Sequence, residues 1–213
     1  MPDKLTTTVT SDEGLHRDSD VPLGDEIVGH YSGSSNMRRA AVLIPLIRQS
    51  GDWHILYIRR ASNENDRHSG QVAFPGGGSD AEDNSPEATA LRETREEIGI
   101  AANRISLLGQ LSPYTTISDF HVTPVVGVVE WPTNLTLAPL EVARAFLIPL
   151  EWLRQRGNFS LRARQDMDPT SAKRHPIIVF EPYDGETLWG ASARMTVNFI
   201  RSLDRGEIVL PAA

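Results

Sequence analysis

The chain has 213 residues, with 21 Lys and Arg against 28 Asp and Glu and a formal net charge of −7 at pH 7. This length allows one sizeable α/β domain or two very small ones, and the negative charge argues against nucleic acid or an anionic membrane as a partner. The absence of cysteine excludes disulfides, thiolate metal sites and cysteine nucleophiles.

The N-terminal stretch, residues 1–36, is polar and acidic and has no apolar signal-peptide segment. We expect a loose arm there, with a short helix near Val21–His30. No apolar run approaches the roughly 20 residues that span a bilayer. The cytoplasm is therefore the expected compartment. The main domain is expected over residues 37–204, followed by a short tail at 205–213.

The domain is predicted to begin with a β-hairpin. The runs Ala40–Ile47 and Trp53–Arg59 are rich in β-formers and are separated by Ser50-Gly51-Asp52. A short strand is expected at Gln71–Phe74. The following glycine run, Pro75–Gly78, is predicted to break any regular structure.

The strongest helix signal lies at Pro86–Ile98. Ser85 is a favourable N-cap, Pro86 suits the first helical position, and Glu87 is acidic in the first turn. Gly99 is the matching stop signal.

The remaining elements alternate between strands and short helices. We predict strands at Ile105–Leu111, Val122–Glu130, Glu141–Pro149, Phe159–Arg162 and Ile177–Phe180, and helices at Leu150–Gln155 and Leu188–Leu203. This order predicts a single α/β domain of mixed strands with a few helices packed on them.

The helix Pro86–Ile98 carries three glutamates that its geometry brings together. At 100° per residue, Glu97 lies about 40° to one side of Glu93 and Glu96 about 60° to the other. Ala88, Leu91 and Ile98 fall near the opposite direction. The periodicity therefore predicts a buried apolar stripe and three carboxylates on the face away from the core.

These three acids suit a bound cation. Two carboxylates about 6 Å apart repel by roughly 3 kcal/mol at an effective dielectric constant of ~20, and hard oxygen ligands favour Mg²⁺ or Mn²⁺. The alternative is an ordinary solvated helix face. The glycine-rich acidic loop Gly76–Asp83 favours the cation, because glycines let the backbone approach ions and phosphates.

Gly77 to Ile100 resembles the Nudix box, usually written G-x5-E-x7-R-E-U-x-E-E-x-G-U with U an aliphatic residue. The matching positions are Arg92-Glu93, Glu96-Glu97, Gly99 and Ile100. Thr94 stands at an aliphatic position. Asp83 stands where the first Glu is expected, and the loop before Arg92 is one residue longer than in the general box.

The resemblance implies an α/β/α sandwich around a mixed sheet and a metal-dependent hydrolase. It implies that Glu93, Glu96 and Glu97 hold Mg²⁺ or Mn²⁺, with the backbone carbonyl near Gly77 as a further ligand. Glu93 or Glu96 would be the general base, and Arg92 would orient a box glutamate through an ion pair. Glu141 is a candidate for an additional metal ligand. Nudix domains often dimerise, so a homodimer is a further expectation.

Stretches outside the box are similar to the coenzyme A diphosphatase branch of the superfamily. They are Leu56–Arg60, Gly70–Gly77, Thr116–Gly127 and Leu188–Arg194. This similarity implies that a small-molecule nucleoside diphosphate is the partner, with coenzyme A or a derivative hydrolysed to 4′-phosphopantetheine and 3′,5′-ADP. Arg59, Arg60 and Arg67 precede the box and are candidates for contact with substrate phosphate.

Three alternatives bear on the substrate and the activity. The segment Arg60–Arg67 is longer and more acidic than in the coenzyme A branch, which favours another dinucleoside diphosphate such as NADH or ADP-ribose. A Nudix-fold module that senses a nucleotide without cleaving it is a second alternative. A prenyl diphosphate isomerase in its usual form would need a cysteine, which this chain lacks.

Overall fold

The computed structural model describes residues 37–62, 69–116, 120–163 and 176–212. The predicted helix near Val21–His30 lies outside them. The strands are β1 (Arg38–Gln49), β2 (Asp52–Arg60), β3 (Val72–Ala73), β4 (Gly76–Gly78), β5 (Ile105–Gln110), β6 (Tyr114–Thr115), β7 (Phe120–Val129), β8 (Val142–Pro149), β9 (Phe159–Arg162) and β10 (Ile177–Phe180). The α-helices are α1 (Pro86–Ile98), α2 (Leu150–Arg154) and α3 (Gly190–Asp204).

One mixed sheet contains β1 to β8, and β1 lies at its centre. β1 and β2 form the predicted hairpin, whose last pair is Gln49↔Asp52. Ser50 and Gly51 form the turn with φ of 54° and 93°, since a two-residue hairpin turn of this twist needs positive φ at both positions. On its other side β1 runs parallel to β7, from Arg38↔Phe120 to Leu46↔Val128. β9 and β10 form a separate antiparallel pair.

The two faces of the sheet are covered by different helices. On one face Ala41 and Leu43 of β1 pack with Ala90 of α1. Alternation along the strands turns Leu46, its partner Ile55, and Tyr57 to the opposite face. There the Tyr57 hydroxyl oxygen lies 2.8 Å from Oγ1 of Thr196 on α3. The predicted α/β/α arrangement around a mixed sheet is therefore confirmed.

Most predicted elements are confirmed within two or three residues, but the glycine run was interpreted wrongly. Gly76–Gly78 is a strand that pairs antiparallel with β1, from Val42↔Gly76 to Ala40↔Gly78. A side chain at Gly76 would collide with the backbone of Ala41 and Val42, so only glycine allows this close pairing. In the described ranges no helix is long and apolar enough to cross a bilayer.

Candidate active site

The helix α1 has the bounds that its capping residues predict. The Ser85 hydroxyl accepts a hydrogen bond from the Ala88 amide at 3.2 Å, and Gly99 ends the helix with φ of 77°. The side of α1 that faces the sheet is formed by Thr89, Ala90, Thr94, Glu97 and Ile98, all of which are buried.

The predicted helix faces need correction, because Glu97 is not on the solvent side. It is only 2% exposed, whereas Ala88 and Leu91 of the predicted stripe are half-buried. The buried side includes Thr94, whose hydroxyl donates to the Ala90 carbonyl at 2.6 Å and so satisfies itself inside the helix. The three acids instead differ in exposure. Glu97 is buried, the side chain of Glu93 is 17% exposed, and that of Glu96 is 49% exposed.

The Glu97 carboxylate is the innermost of these three acids. It accepts a hydrogen bond from the Gly76 amide at 2.9 Å. The pKa of Glu97 is raised to about 7, mainly by burial and in addition by the negative charges of Glu93 and Glu141. The Gly76 hydrogen bond and the positive charge of Arg60 act in the opposite direction. Glu97 is thus a buried acid with like charges around it.

Glu93 lies directly against the glycine strand β4. A Cβ atom placed on Gly77 would lie 2.6 Å from Glu93 Oε1, so the carboxylate occupies the space that any side chain at this position would need. Burial also raises the pKa of Glu93, while the neighbouring Arg92 lowers it. Gly77 and Glu93 are therefore brought together, as the metal-ligand prediction requires.

Arg92 connects the acidic loop to the helix acids. Its Nη1 lies 3.0 Å from both Glu93 Oε1 and Glu96 Oε2. Its Nη2 donates to the Gly78 carbonyl and to Asp83 Oδ2, each at 2.9 Å. Asp83 also accepts from the Thr89 hydroxyl, and Arg92 holds the pKa of Asp83 down at about 2. Asp83 therefore binds Arg92, a contact that the box pattern did not reveal.

A backbone strap, residues 135–141, brings Glu141 to the site. The Thr136 amide donates to the Ile98 carbonyl at 3.0 Å, and the Ala138 amide donates to the Glu97 carbonyl at 2.9 Å. These bonds satisfy carbonyls that the end of α1 leaves open. Glu141 follows at once, close enough to raise the pKa values of both Glu93 and Glu97. In the sequence, the acidic character of Glu141 was the only indication that it belongs to the site.

The three arginines proposed for substrate contact separate in the structure. Arg60 lies near Glu97, whose pKa it lowers. Arg59 points to the opposite face, since neighbours on a strand alternate, and its Nη1 lies 3.6 Å from Oε1 of the buried Glu186. Arg144 also binds Glu186, at 3.1 Å. Arg67 lies outside the described residues.

The donor set has the chemistry of a site for a hard divalent cation. Within the residues that the structure describes, no group of three or more acidic or histidine side chains is arranged to hold a metal ion, and Arg92 lies against both Glu93 and Glu96. Glu97, however, is a buried carboxylate whose neighbouring acids repel it. A divalent cation would relieve this repulsion and offset the burial of the charge.

Comparison with known proteins gives a consistent result. A NUDIX domain family model matches residues 37–168. The chain is 38% identical over 177 residues to an uncharacterized Nudix hydrolase, NudL, of Yersinia pestis (strain Pestoides F), covering 81% of this chain and 84% of the relative. NudL of Yersinia pseudotuberculosis serotype O:3 (strain YPIII) matches to the same extent.

Solved structures show the same fold. RenU, a Nudix hydrolase from M. smegmatis, aligns with a TM-score of 0.53 at 16% identity, covering 83% of this chain and 91% of that one. A MutT/nudix family protein from Enterococcus faecalis aligns with a TM-score of 0.51 at 18% identity, covering 80% and 64%. Nudix hydrolases cleave phosphorus-containing anhydrides and generally use divalent cations. Given this match and the acids assembled on α1, the chain belongs to the Nudix hydrolase family.

Proposed function

We propose that this protein hydrolyses the diphosphate bond of coenzyme A or a derivative, giving 4′-phosphopantetheine and 3′,5′-ADP, with Mg²⁺ or Mn²⁺ as the cofactor. The proposal of hydrolysis rests on one observation. The acids on α1 next to β4 increase in exposure from buried Glu97 to half-exposed Glu96. The similarity of Leu56–Arg60, Gly70–Gly77, Thr116–Gly127 and Leu188–Arg194 to the coenzyme A branch supports the choice of substrate.

In this proposal Glu93, Glu96 and Glu97 hold the cation together with the Gly77 carbonyl, and Glu141 is a further ligand. When bound, such an ion neutralises the diphosphate and lowers the pKa of the attacking water. Glu93 and Glu96 are the two candidates for the base that accepts the proton from water.

The arginines have distinct parts in the proposal. Arg92 positions Glu93 and Glu96, since its Nη1 contacts both. Arg60 contacts a substrate phosphate, because it lies beside Glu97 at the acid site. Arg59 is the weaker of the two candidates, since Glu186 already binds it on the other face of the sheet.

Another dinucleoside diphosphate, such as NADH or ADP-ribose, is the second candidate substrate. The Arg59–Glu186 pair favours it, because this pair reduces the positive charge that the segment before the box offers to the 3′-phosphate of coenzyme A. A sensing module without catalysis is disfavoured, since Glu93, Glu96 and Glu97 are all retained.

A product-resolved assay tests the proposal. Coenzyme A, NADH and ADP-ribose are incubated with the protein in excess Mg²⁺ or Mn²⁺, and the products are separated. We expect 4′-phosphopantetheine and 3′,5′-ADP from coenzyme A, and no turnover by a folded Glu97→Gln variant. Unchanged kcat in that variant would overturn the metal site. Tight binding without any product would instead support the sensing module.

A further inference from the structure

A buried acid has two arginine partners on the face of the sheet opposite to the acid site. Glu186 is 6% exposed, and its Oε1 lies 3.1 Å from Arg144 Nη1 and 3.6 Å from Arg59 Nη1. Arg144 also contacts Asp184, which is more than half exposed. Glu186, Arg59 and Arg144 are here termed the arginine clamp. None of its three members belongs to the metal site proposed above.

The acid of the clamp is held on a tight turn. Tyr183 and Glu186 exchange two backbone hydrogen bonds, at 2.9 and 3.0 Å, around Asp184 and Gly185. Both turn residues have positive φ, 51° and 79°, as a two-residue hairpin turn of this kind requires. The Tyr183 ring packs against Trp152, with the ring centroids 4.9 Å apart. The backbone of Glu186 is therefore fixed independently of its contacts with the arginines.

The two arginines need this acid because they are direct neighbours. Arg59 of β2 pairs with Arg144 of β8, so both side chains project to the same face. Like charges placed opposite each other on adjacent strands repel and weaken the pairing. Glu186 contacts both guanidinium groups and offsets this repulsion. It thereby holds β2 and β8 together at this pair.

The clamped pair is the last regular one before a β-bulge. The next pair is Arg60↔Val142, so Ala143 is an additional residue on β8 between the two pairs. A bulge interrupts the hydrogen-bonded ladder and redirects the side chains around it. The position of the residues beyond the bulge therefore depends on the pair that precedes it, which is the one that Glu186 holds.

The residues beyond the bulge belong to the acid site. The Ala61 amide donates a hydrogen bond to the Glu141 carbonyl at 2.8 Å, which joins the end of β2 to the start of β8. The strap before Glu141 is bound to α1 by the Ala138 amide, which donates to the Glu97 carbonyl at 2.9 Å. The strand ends that the clamp holds on one face thus carry Glu141 and Arg60 to the acid site on the other face.

We propose that Glu186 is a positioning residue for the metal site. By holding the arginine pair together across β2 and β8, it fixes the bulge that places Glu141 among the acids of α1. The inference rests on the proposed function for the role of Glu141 as a metal ligand. Glu186 acts through the backbone of the sheet, since its own side chain lies on the opposite face.

The affinity for Mn²⁺, measured by electron paramagnetic resonance, tests this inference without requiring turnover. Glu186→Gln keeps the size of the side chain but removes the acid that the two arginines share. We expect it to weaken Mn²⁺ binding about tenfold, because residues that orient a metal ligand have effects of that size. Glu181→Gln is the matched control, since it removes an acid five residues earlier whose partner, Arg162, lies on β9. It should bind Mn²⁺ as the wild type does.

A double-mutant cycle shows whether the effect passes through Glu141. Glu141→Gln alone should weaken Mn²⁺ binding, and adding Glu186→Gln to it should have no further effect. Additive losses, an unchanged affinity in Glu186→Gln, or an equal loss in Glu181→Gln would each overturn the inference. An unchanged affinity in Glu141→Gln would also overturn it, because Glu141 would then not be a ligand, although the helix acids could still hold the metal.

The combination of Arg144→Gln with Glu186→Gln separates repulsion from a general loss of folding. Only one arginine then remains at the pair, so we expect the double variant to recover most of the Mn²⁺ affinity and of the Tm that Glu186→Gln loses. If Glu186→Gln does not fold, the double variant must fold and bind Mn²⁺. Failure of both variants, or a double variant as weak as Glu186→Gln, would make Glu186 a purely structural residue and overturn the inference.

Coenzyme A turnover by the wild type is measured separately, so that the two proposals can fail independently. If the cycle shows the coupling and coenzyme A is not cleaved, Glu186 keeps its positioning role and the proposed reaction fails. Cleavage of coenzyme A without the coupling reverses these conclusions.

Discussion

Arg92 and Asp83 are joined by two side-chain hydrogen bonds, from Nε to Oδ1 at 3.2 Å and from Nη2 to Oδ2 at 2.9 Å. The remaining nitrogen, Nη1, lies between Glu93 and Glu96. Asp83 thus fixes the guanidinium from the loop side, in an orientation that serves the helix acids. Asp83, the acid of the longer loop, therefore supports the site by orienting Arg92. Its contribution to the stability of the fold should depend on pH.

We expect Asp83→Asn to lower the Tm at neutral pH but not in strong acid. Hydrogen bonds from Arg92 first, and then from the Asp80 amide, lower the pKa of Asp83 from 3.8 to about 2 in the folded protein. The stabilisation is therefore present above 3.8, the ordinary pKa, and is lost as the pH falls through about 2. Thermal unfolding from pH 7 to pH 2 should show the Tm of wild type and variant converging. A difference that stays constant with pH would contradict this, and Asp204→Asn controls for loss of a surface pair.

Gly77→Ala should weaken Mn²⁺ binding while leaving the fold intact. Its Cβ would lie 2.6 Å from Glu93 Oε1, so the carboxylate must move away from β4. Gly78→Ala is the matched control, because nothing lies within 4 Å of its Cβ. Electron paramagnetic resonance of Mn²⁺ gives both affinities. Equal affinities of the two variants would show that the close contact between Gly77 and Glu93 is irrelevant to the metal.

Glu97→Gln should reduce the Mn²⁺ affinity more than Glu96→Gln does, by about tenfold or more. Glu97 is 2% exposed and the Glu96 side chain 49%, so the inner acid meets the cation where water screens least. Without metal at pH 8, Glu97→Gln should keep or raise the Tm, because it removes a buried negative charge next to Glu93. A marked fall in that Tm would assign Glu97 a structural role.

Gly99→Ala should be more damaging than its backbone conformation alone explains. Both Gly99 and Gly206 have positive φ, 77° and 70°, so alanine costs each about 1 kcal/mol of strain. Only at Gly99 would the Cβ also meet Thr136 Cβ, at 2.9 Å. We expect Gly99→Ala to displace the strap that carries Glu141 and to lower kcat. Urea unfolding and turnover that match those of Gly206→Ala would exclude this role.

The sequence predicts α1 to the residue because its ends are encoded locally, by Ser85, Pro86 and Gly99. It fails at β4 because the partner of that strand, Ala40–Val42, lies more than thirty positions away and glycine has little intrinsic preference for strands. The Nudix fold itself follows from the box, and it is confirmed by the central mixed sheet with helices on both faces.

The candidate site was predicted less completely than the fold. Angular position on a helix does not decide burial, so Glu97 was placed with the solvent-facing acids although α1 turns it towards β4. Arg59 and Arg60 are neighbours in sequence, but strand alternation sends them to opposite faces.

The parallel pairing of β1 with β7 has a consequence for how the protein folds. It joins residues about 80 positions apart, and such non-local contacts slow folding because a long loop must close first. The whole acid helix lies inside that loop. During synthesis on the ribosome, the central sheet can close only after Val128 has emerged, so the acid site should assemble late in translation.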